Sequence, residues 1–355
     1  MSYKFISFGC WNNLNMPKGN LKAVMRELNT YLSSEPAIQR IIISGDNYYP
    51  DKIDTEISKR KIIHHDKLIE GFDLLPKDIP INMIMGNHDL ETNGKKASLY
   101  LSDEPESGDC KITHLEMEIA KRIPNIKLSL FQSIFLAEHK TLILMIDTSV
   151  YSDDVTNFLK CYNDFTNERF SSANELIQHQ NRLIYSAIEE HNSSVDNIII
   201  VGHHPITGLK SKKNEIKVIN DIPEFIPVLD AIYGITGDRV NYYYLCADYH
   251  SYQHGYITLA NGMKIEQYIA GIGGTELDPA LKLTEEYDAV NSGIRYRLSP
   301  GDNVRNWGFL VCRIEDTRFT CEPRFLSVGG SRRRKTCKKN NNRRNKRSNK
   351  RSNKH

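Results

Sequence analysis

The sequence predicts a mixed α/β fold with helices laid outside its sheets. Strand-like apolar runs alternate with amphipathic helical patterns as far as Cys246, and strands dominate after that. Four of the apolar runs end in a short polar motif of metal-binding residue types. In open α/β sheets the carboxyl ends of the strands converge on one crevice, where ligands bind.

Phe5 to Phe8 reads as the first strand. Leu21, Val24, Met25, Leu28 and Leu32 recur at helical spacing, so Leu21 to Leu32 reads as a helix. Ile41 to Ser44 is a strand, Ile57 to Leu75 is mostly helical, and Pro80 breaks into a strand from Ile81 to Met85. A helix is expected from His114 to Arg122. Leu128 to Ala137 and Thr141 to Ile146 read as an antiparallel pair turning at Glu138-His139-Lys140. Leu176 to Ile188 is a helix that leads to the strand Ile198 to Val201. Pro223 to Tyr233 is helical, and Tyr242 to Cys246 is a strand. Tyr256 to Leu259, Lys264 to Ile269, Phe309 to Ile314 and Arg318 to Glu322 complete the strands.

The 355 residues suffice for one large domain, and their 39% apolar and 26% charged content is ordinary for a globular chain. No run approaches the roughly 18 apolar residues of a membrane span. The start, Met1-Ser2-Tyr3-Lys4, enters a strand directly without a signal-peptide pattern, which predicts an intracellular protein, cytoplasmic or nuclear. Seven cysteines at irregular spacing, with no CxxC pair, predict neither a zinc knuckle nor a disulfide framework.

The net charge of +3 hides an asymmetry. Residues 331–355 carry thirteen Lys and Arg and no acid, which leaves 34 basic against 44 acidic side chains elsewhere, a body near −10. That tail cannot bury a core and is expected to be disordered, which divides the chain into a body, 1–330, and a tail, 331–355. Its charge suits nonspecific contact with nucleic acid or another polyanion, or a nuclear-import signal. No aromatic is interleaved in it, so base stacking is not predicted.

The four strand-end motifs are Gly45-Asp46-Asn47-Tyr48-Tyr49, Gly86-Asn87-His88-Asp89, Gly202-His203-His204 and Ala247-Asp248-Tyr249-His250. Carboxylate, amide oxygen, phenol and imidazole are ligands suited to Fe, Zn or Mn. Asp46 is placed to offer one oxygen to each of two cations, with Tyr49 three residues on. Taken singly, each motif also reads as a turn or a helix cap. Taken in order, they predict one shared metal cleft. Gly271, Gly273 and Gly274 do not complete a dinucleotide fingerprint. His64 and His65 are expected to be solvated.

This ordered series resembles the calcineurin-like metallophosphoesterases. Tyr49 and the run Phe8-Gly9-Cys10-Trp11 bring it nearest the purple acid phosphatase branch. Ile146-Asp147-Thr148, Gln180 to Ile188 and Gly271-Ile272-Gly273-Gly274 are similar as well, so that the likeness spans roughly residues 4 to 328. The resemblance implies a four-layer α/β/β/α sandwich with two metal ions. It implies hydrolysis of phosphate esters, monoesters above all, by attack of metal-bound water. By the same resemblance Asp46 bridges both metals, Tyr49 and His250 hold the first, and Asn87 and His203 hold the second. His88 contacts the phosphate and protonates the leaving group, with Asp89 orienting it.

Two positions depart from the family pattern. Cys10 stands where an aspartate ligand of the first metal is expected, and Asp248 where a histidine of the second is expected. Asp248 keeps a ligand oxygen. Cys10 is either a thiolate ligand, softer and biased toward Zn or Fe, or a protonated buried thiol. The alternative function is a catalytically degenerate fold that binds polyanions through its tail. The segments expected to set specificity, Asn93 to Lys111 and Lys210 to Ile222, carry no pocket signature.

Overall fold

The computed structural model describes residues 2–14, 19–55, 58–103, 109–212 and 215–327. The basic tail and Cys337 lie outside them. The strands of the first half are β1 Ser2–Phe8, β2 Ile38–Ser44, β3 Asp51–Thr55, β4 Ser58–Ile63, β5 Ile81–Ile84, β6 Tyr100–Ser102, β7 Ile126–Leu128, β8 Phe131–Leu136 and β9 Thr141–Ile146. Those of the second half are β10 Asn197–Val201, β11 Gly208–Lys212, β12 Glu215–Ile219, β13 Asn241–Cys246, β14 Tyr252–Thr258, β15 Lys264–Ala270, β16 Tyr287–Asn291, β17 Ile294–Val304, β18 Gly308–Glu315 and β19 Arg318–Phe325. The helices are α1 Leu21–Ser34, α2 His65–Asp73, α3 Asn87–Leu90, α4 Gly94–Ala97, α5 Lys111–Arg122, α6 Val155–Thr166, α7 Ala173–His191 and α8 Ile226–Thr236.

Two large sheets carry the fold, in the orders β19-β18-β1-β2-β5-β7 and β16-β17-β14-β15-β13-β10-β9-β8. Within the first, β1, β2, β5 and β7 run parallel; within the second, β9, β10, β13 and β15 do. The apolar runs are continuous because these strands are buried on both faces. Ile42, Ile84, Ile199, Val201 and Leu245 pack between the two sheets. Ile41 and Ile43 turn the other way, onto Leu21 and Val24 of α1 and Leu68 and Phe72 of α2. Ile198 and Ile200 likewise meet Ile184 and Ile188 of α7 and Leu229 of α8. Each such side chain contributes about 1.5–3 kcal/mol of burial. The result is the expected four-layer order of helices, sheet, sheet and helices.

Helix α7 begins where its sequence says it should. Ser172 Oγ accepts the Glu175 amide at 3.3 Å, and Glu175 Oε2 accepts the Ser171 amide at 2.7 Å, a reciprocal cap at the helix start.

Several expectations need correction. Ile57 to Leu75 is not mostly helical: β4 takes residues 58–63, paired antiparallel with β3 and parallel with β6, and α2 starts only at His65. Strand pairing overrides local propensity there. Leu128 to Ala137 is not one strand: β7 ends in the first sheet and β8 begins in the second, so the chain changes sheets at Ser129-Leu130. His65 is buried, with Nε2 3.0 Å from Ser102 Oγ, and His64 pairs with Asp51 and Asp103.

Four cysteines are bridged, against the expectation. Cys110–Cys161 ties the start of α5 to α6, and Cys312–Cys321 links directly opposed positions of β18 and β19. Their irregular spacing is the spacing of helix packing and hairpin register. Cys10 and Cys246 are free and buried. Among the described residues, no helix is long and apolar enough to cross a membrane.

Candidate metal centre

The two sheets stack with their parallel strands ending on the same side, and the four motifs meet there. Cys10 follows β1, Asp46 follows β2, Asn87 follows β5, His203 follows β10, and Asp248 and His250 follow β13. Each chain must turn sharply on leaving its strand. Cys10, Asp46 and Asp248 adopt left-handed backbone, with φ of 53°, 53° and 51°. Non-glycine residues held in that region collect at functional sites. Gly45, at φ 83°, lets the Asp46 turn lie on the Met85-Gly86 backbone, where a Cβ would come within 2.7 Å of Gly86 N.

The two oxygens of Asp46 face two different donor sets. Oδ2 accepts the Tyr49 hydroxyl at 2.6 Å and lies 3.8 Å from Cys10 Sγ. Tyr49 Oη is in turn 3.1 Å from His250 Nε2. Oδ1 lies 3.2 Å from His203 Nε2 and accepts the His88 amide at 3.1 Å. Asn87 Oδ1 and Asp248 Oδ1 complete that side, 3.1 Å and 3.8 Å from the same His203 nitrogen.

His203 Nδ1 donates to the Ser44 carbonyl at 2.7 Å, which fixes the ring and presents Nε2 to the three oxygens. Three oxygens converging on one nitrogen form a cage that a cation would fill, so the residues present fit a metal. Cys10, Asp46 and His203 form one compact donor group, and His203, His204 and Asp248 another. A third group, His64, Asp66 and Asp103, sits in the open at the start of α2.

The protonation states follow from burial and charge. Burial works to raise Asp46, but the His203 and His88 charges hold its carboxyl well below the usual range. Burial works to lower His203, but Asp46 outweighs it and pushes the imidazole well up. Burial and the neighbouring Asp46 charge push the Cys10 thiol and the Tyr49 phenol well up. Burial pushes His250 down, and burial with the His203 charge pushes His204 down to about 4.

Some residues stand elsewhere than expected. Asp89 is spent on the backbone: Oδ1 accepts the Asn47 amide at 2.8 Å, and Oδ2 accepts the Gly86 amide at 2.8 Å. The carboxylate beside His88 is Glu91, whose Oε2 makes an ion pair with Nδ1 at 3.2 Å. Glu91 also accepts the Tyr100 hydroxyl and pairs with Lys61. The i, i+3 spacing of His88 and Glu91 was the available signal for it. Asn12 and Asn13, next to Cys10 in the chain, donate to the Leu68 carbonyl and to Thr275 Oγ1. His204 turns to Thr148 Oγ1 at 3.1 Å. Lys210, which no motif marked, pairs with Asp248 Oδ2 at 3.2 Å.

A cavity of about 300 Å³ opens on this site, with Tyr49, Lys61, His88, His250 and Asp278 in its wall. A larger groove of about 750 Å³ lies at the amino ends of β13 and β15, among Tyr243, Tyr256, Glu266 and Arg297. It is at the wrong end of the strands for the metal donors.

The sequence profile of the calcineurin-like phosphoesterases matches residues 3–242. The chain belongs to that family. Calcineurin-like phosphoesterases are metal-dependent hydrolases of phosphoesters, and the family generally binds two divalent metals. Asp46, Asn87 and His203 all fall inside the matched segment, whereas Asp248 and His250 lie beyond its end. No curated protein matches the chain.

Proposed function

We propose that this protein hydrolyses phosphate esters, monoesters in preference, at a dinuclear metal site of Fe, Zn or Mn, and that it stands nearest the purple acid phosphatases. The observation that carries the reading is the division of Asp46, one carboxylate oxygen facing each donor set.

Cys10, Asp46, Tyr49 and His250 would hold one metal, and Asp46, Asn87, His203 and Asp248 the other. When bound, the metals supply a Lewis acid for the phosphoryl oxygens and bring the pKa of water toward about 7. A thiolate at Cys10 preserves the charge of an aspartate and favours Zn or Fe over Mn.

The protein's own groups do the rest. His88 holds a proton at its ring for the departing alkoxide, which is a poor leaving group unprotonated. Glu91 sets a negative charge 3.2 Å from Nδ1 of that ring, leaving Nε2 for the ester oxygen. Tyr49 and His250 wall the cavity, which lies at the small end of ligand pockets and suits a compact ester. The basic segment 331–355 supplies a separate, nonspecific contact to polyanions.

The test compares p-nitrophenyl phosphate with bis(p-nitrophenyl) phosphate on metal-loaded protein. Faster turnover of the monoester is expected. Turnover of the diester alone would overturn the monoester preference, and turnover of neither would overturn the reading.

A further inference from the structure

We propose that Lys210 is the group that anchors the substrate's phosphate at this site; this rests on the phosphoester reading above. The Lys210 ammonium is 3.2 Å from Asp248 Oδ2 and lies 3.8 Å above the centre of the Tyr249 ring. Asp248 Oδ1 is 3.8 Å from His203 Nε2, so a single carboxylate separates the ammonium from the donor cage. Among the described residues its one hydrogen bond is to Asp248. An ammonium has three donors; one goes to Asp248 and one face turns to the Tyr249 ring, which leaves one donor for a ligand.

The backbone that carries Lys210 is held more firmly than a surface ion pair requires. Gln253 on β14 accepts the Leu209 amide at 3.1 Å and donates to the Leu209 carbonyl at 2.8 Å. Gln267 on β15 accepts the Ile206 amide at 3.0 Å and donates to the Thr207 carbonyl at 2.6 Å. Both glutamines are buried. Gly208 lets the strand lie against Tyr249, where a Cβ would come within 2.5 Å of the ring. Two amide clamps and a close-packed glycine aim one lysine at the metal side chains, the preorganisation that a binding group needs.

The charges explain why a cation belongs there. Asp248 places a carboxylate where the family pattern has a neutral imidazole, which adds a negative charge beside Asp46. A phosphate dianion entering this field is repelled unless a cation offsets the extra charge. Lys210 offsets Asp248 and the neighbouring Asp221 charge in the free protein, and its remaining donor can reach a phosphate oxygen as a charge-assisted hydrogen bond.

The experiment titrates metal-loaded, full-length protein with inorganic phosphate by calorimetry. Metal content and p-nitrophenyl phosphate kinetics are measured on the same samples, for the wild type, Lys210→Met and Lys210→Arg. Lys210→Met is expected to weaken phosphate binding by roughly 10- to 100-fold and to raise KM by a similar factor. Its kcat and metal content stay close to wild type, and Lys210→Arg recovers most of the loss. Unchanged phosphate affinity and KM in Lys210→Met, with an active wild type, overturn the role of Lys210 alone. Loss of metal from Lys210→Met also overturns it, since the lysine then only supports Asp248. A wild type that neither binds phosphate nor turns over overturns the phosphoester reading together with this inference.

Discussion

His203 Nε2 lies 3.2 Å from Asp46 Oδ1, joining a loop of one sheet to a loop of the other. The approach is possible because Gly86 fills the corner between them. A Cβ on Gly86 would stand 2.3 Å from Asp46 Oδ1 and 2.8 Å from His203 Cε1. Gly86→Ala therefore pushes the two donors apart while leaving both in the chain. Bound metal is expected to fall by at least half and turnover by at least about 10²-fold, with the far-ultraviolet circular dichroism unchanged. Wild-type metal content in that variant would show that the pair does not need to be close.

His88 and Glu91 set a pH dependence. Burial works to lower His88, but Asp46 and Glu91 outweigh it and raise the imidazole above its ordinary value. A leaving-group acid acts in its protonated form, so activity is lost as pH rises through that raised value. Glu91→Gln removes one of the raising interactions, and the alkaline limb of the kcat profile moves to lower pH. A fall in kcat of about 10- to 100-fold accompanies the shift. A limb that stays in place would separate Glu91 from the acid.

Asp147 makes a prediction about stability that is independent of catalysis. Its carboxyl is fully buried, Oδ1 accepts the Ser149 amide at 3.0 Å, and Oδ2 has no hydrogen-bond partner among the described residues. Burial pushes its pKa up to about 7. A raised folded pKa gives stability that is complete below the unfolded value near 4 and lost as pH rises through about 7. At about 1.4 kcal/mol per pKa unit, this group costs the fold a few kcal/mol between pH 4 and pH 8. Asp147→Asn removes that dependence. Urea unfolding at pH 5 and pH 8 should show a smaller gap for the variant than for the wild type, and an equal gap would refute the assignment.

Cys10 and Cys246 are both free and buried, but only Cys10 adjoins Asp46. If Cys10 ligates, cobalt-substituted protein carries sulfur-to-metal absorption in the near ultraviolet. Cys10→Ser is expected to lose that band while Cys246→Ser keeps it. Persistence of the band in Cys10→Ser would assign Cys10 as a plain buried thiol.

The convergence of these side chains was legible in the sequence because each candidate donor sits at a strand end, and strand ends are marked by local apolar runs. Asp46, Asn87, His203 and Asp248 needed only the assumption that parallel strands point their carboxyl ends at one crevice. Most of what was illegible is non-local. Glu91 stands beside His88 because the Asp89 oxygens are captured by the Asn47 amide, a contact across the fold, and by the Gly86 amide three residues back, a local helix cap. Lys210 was hidden because its hairpin is aimed by Gln253 and Gln267, side chains that read as ordinary strand residues. The segment 58–63 looked helical because its pairing with β3 and β6 is a tertiary fact. Cys110 and Cys161 met for the same reason: α5 and α6 pack together.

The most direct test of the dinuclear reading is elemental analysis of the purified protein, with p-nitrophenyl phosphate hydrolysis measured on the same sample. About two equivalents of Fe, Zn or Mn together with turnover are predicted, since Asp46 presents one oxygen to each donor set. One equivalent or none, with no turnover after metal is added back, would contradict it and leave a fold that binds without catalysing.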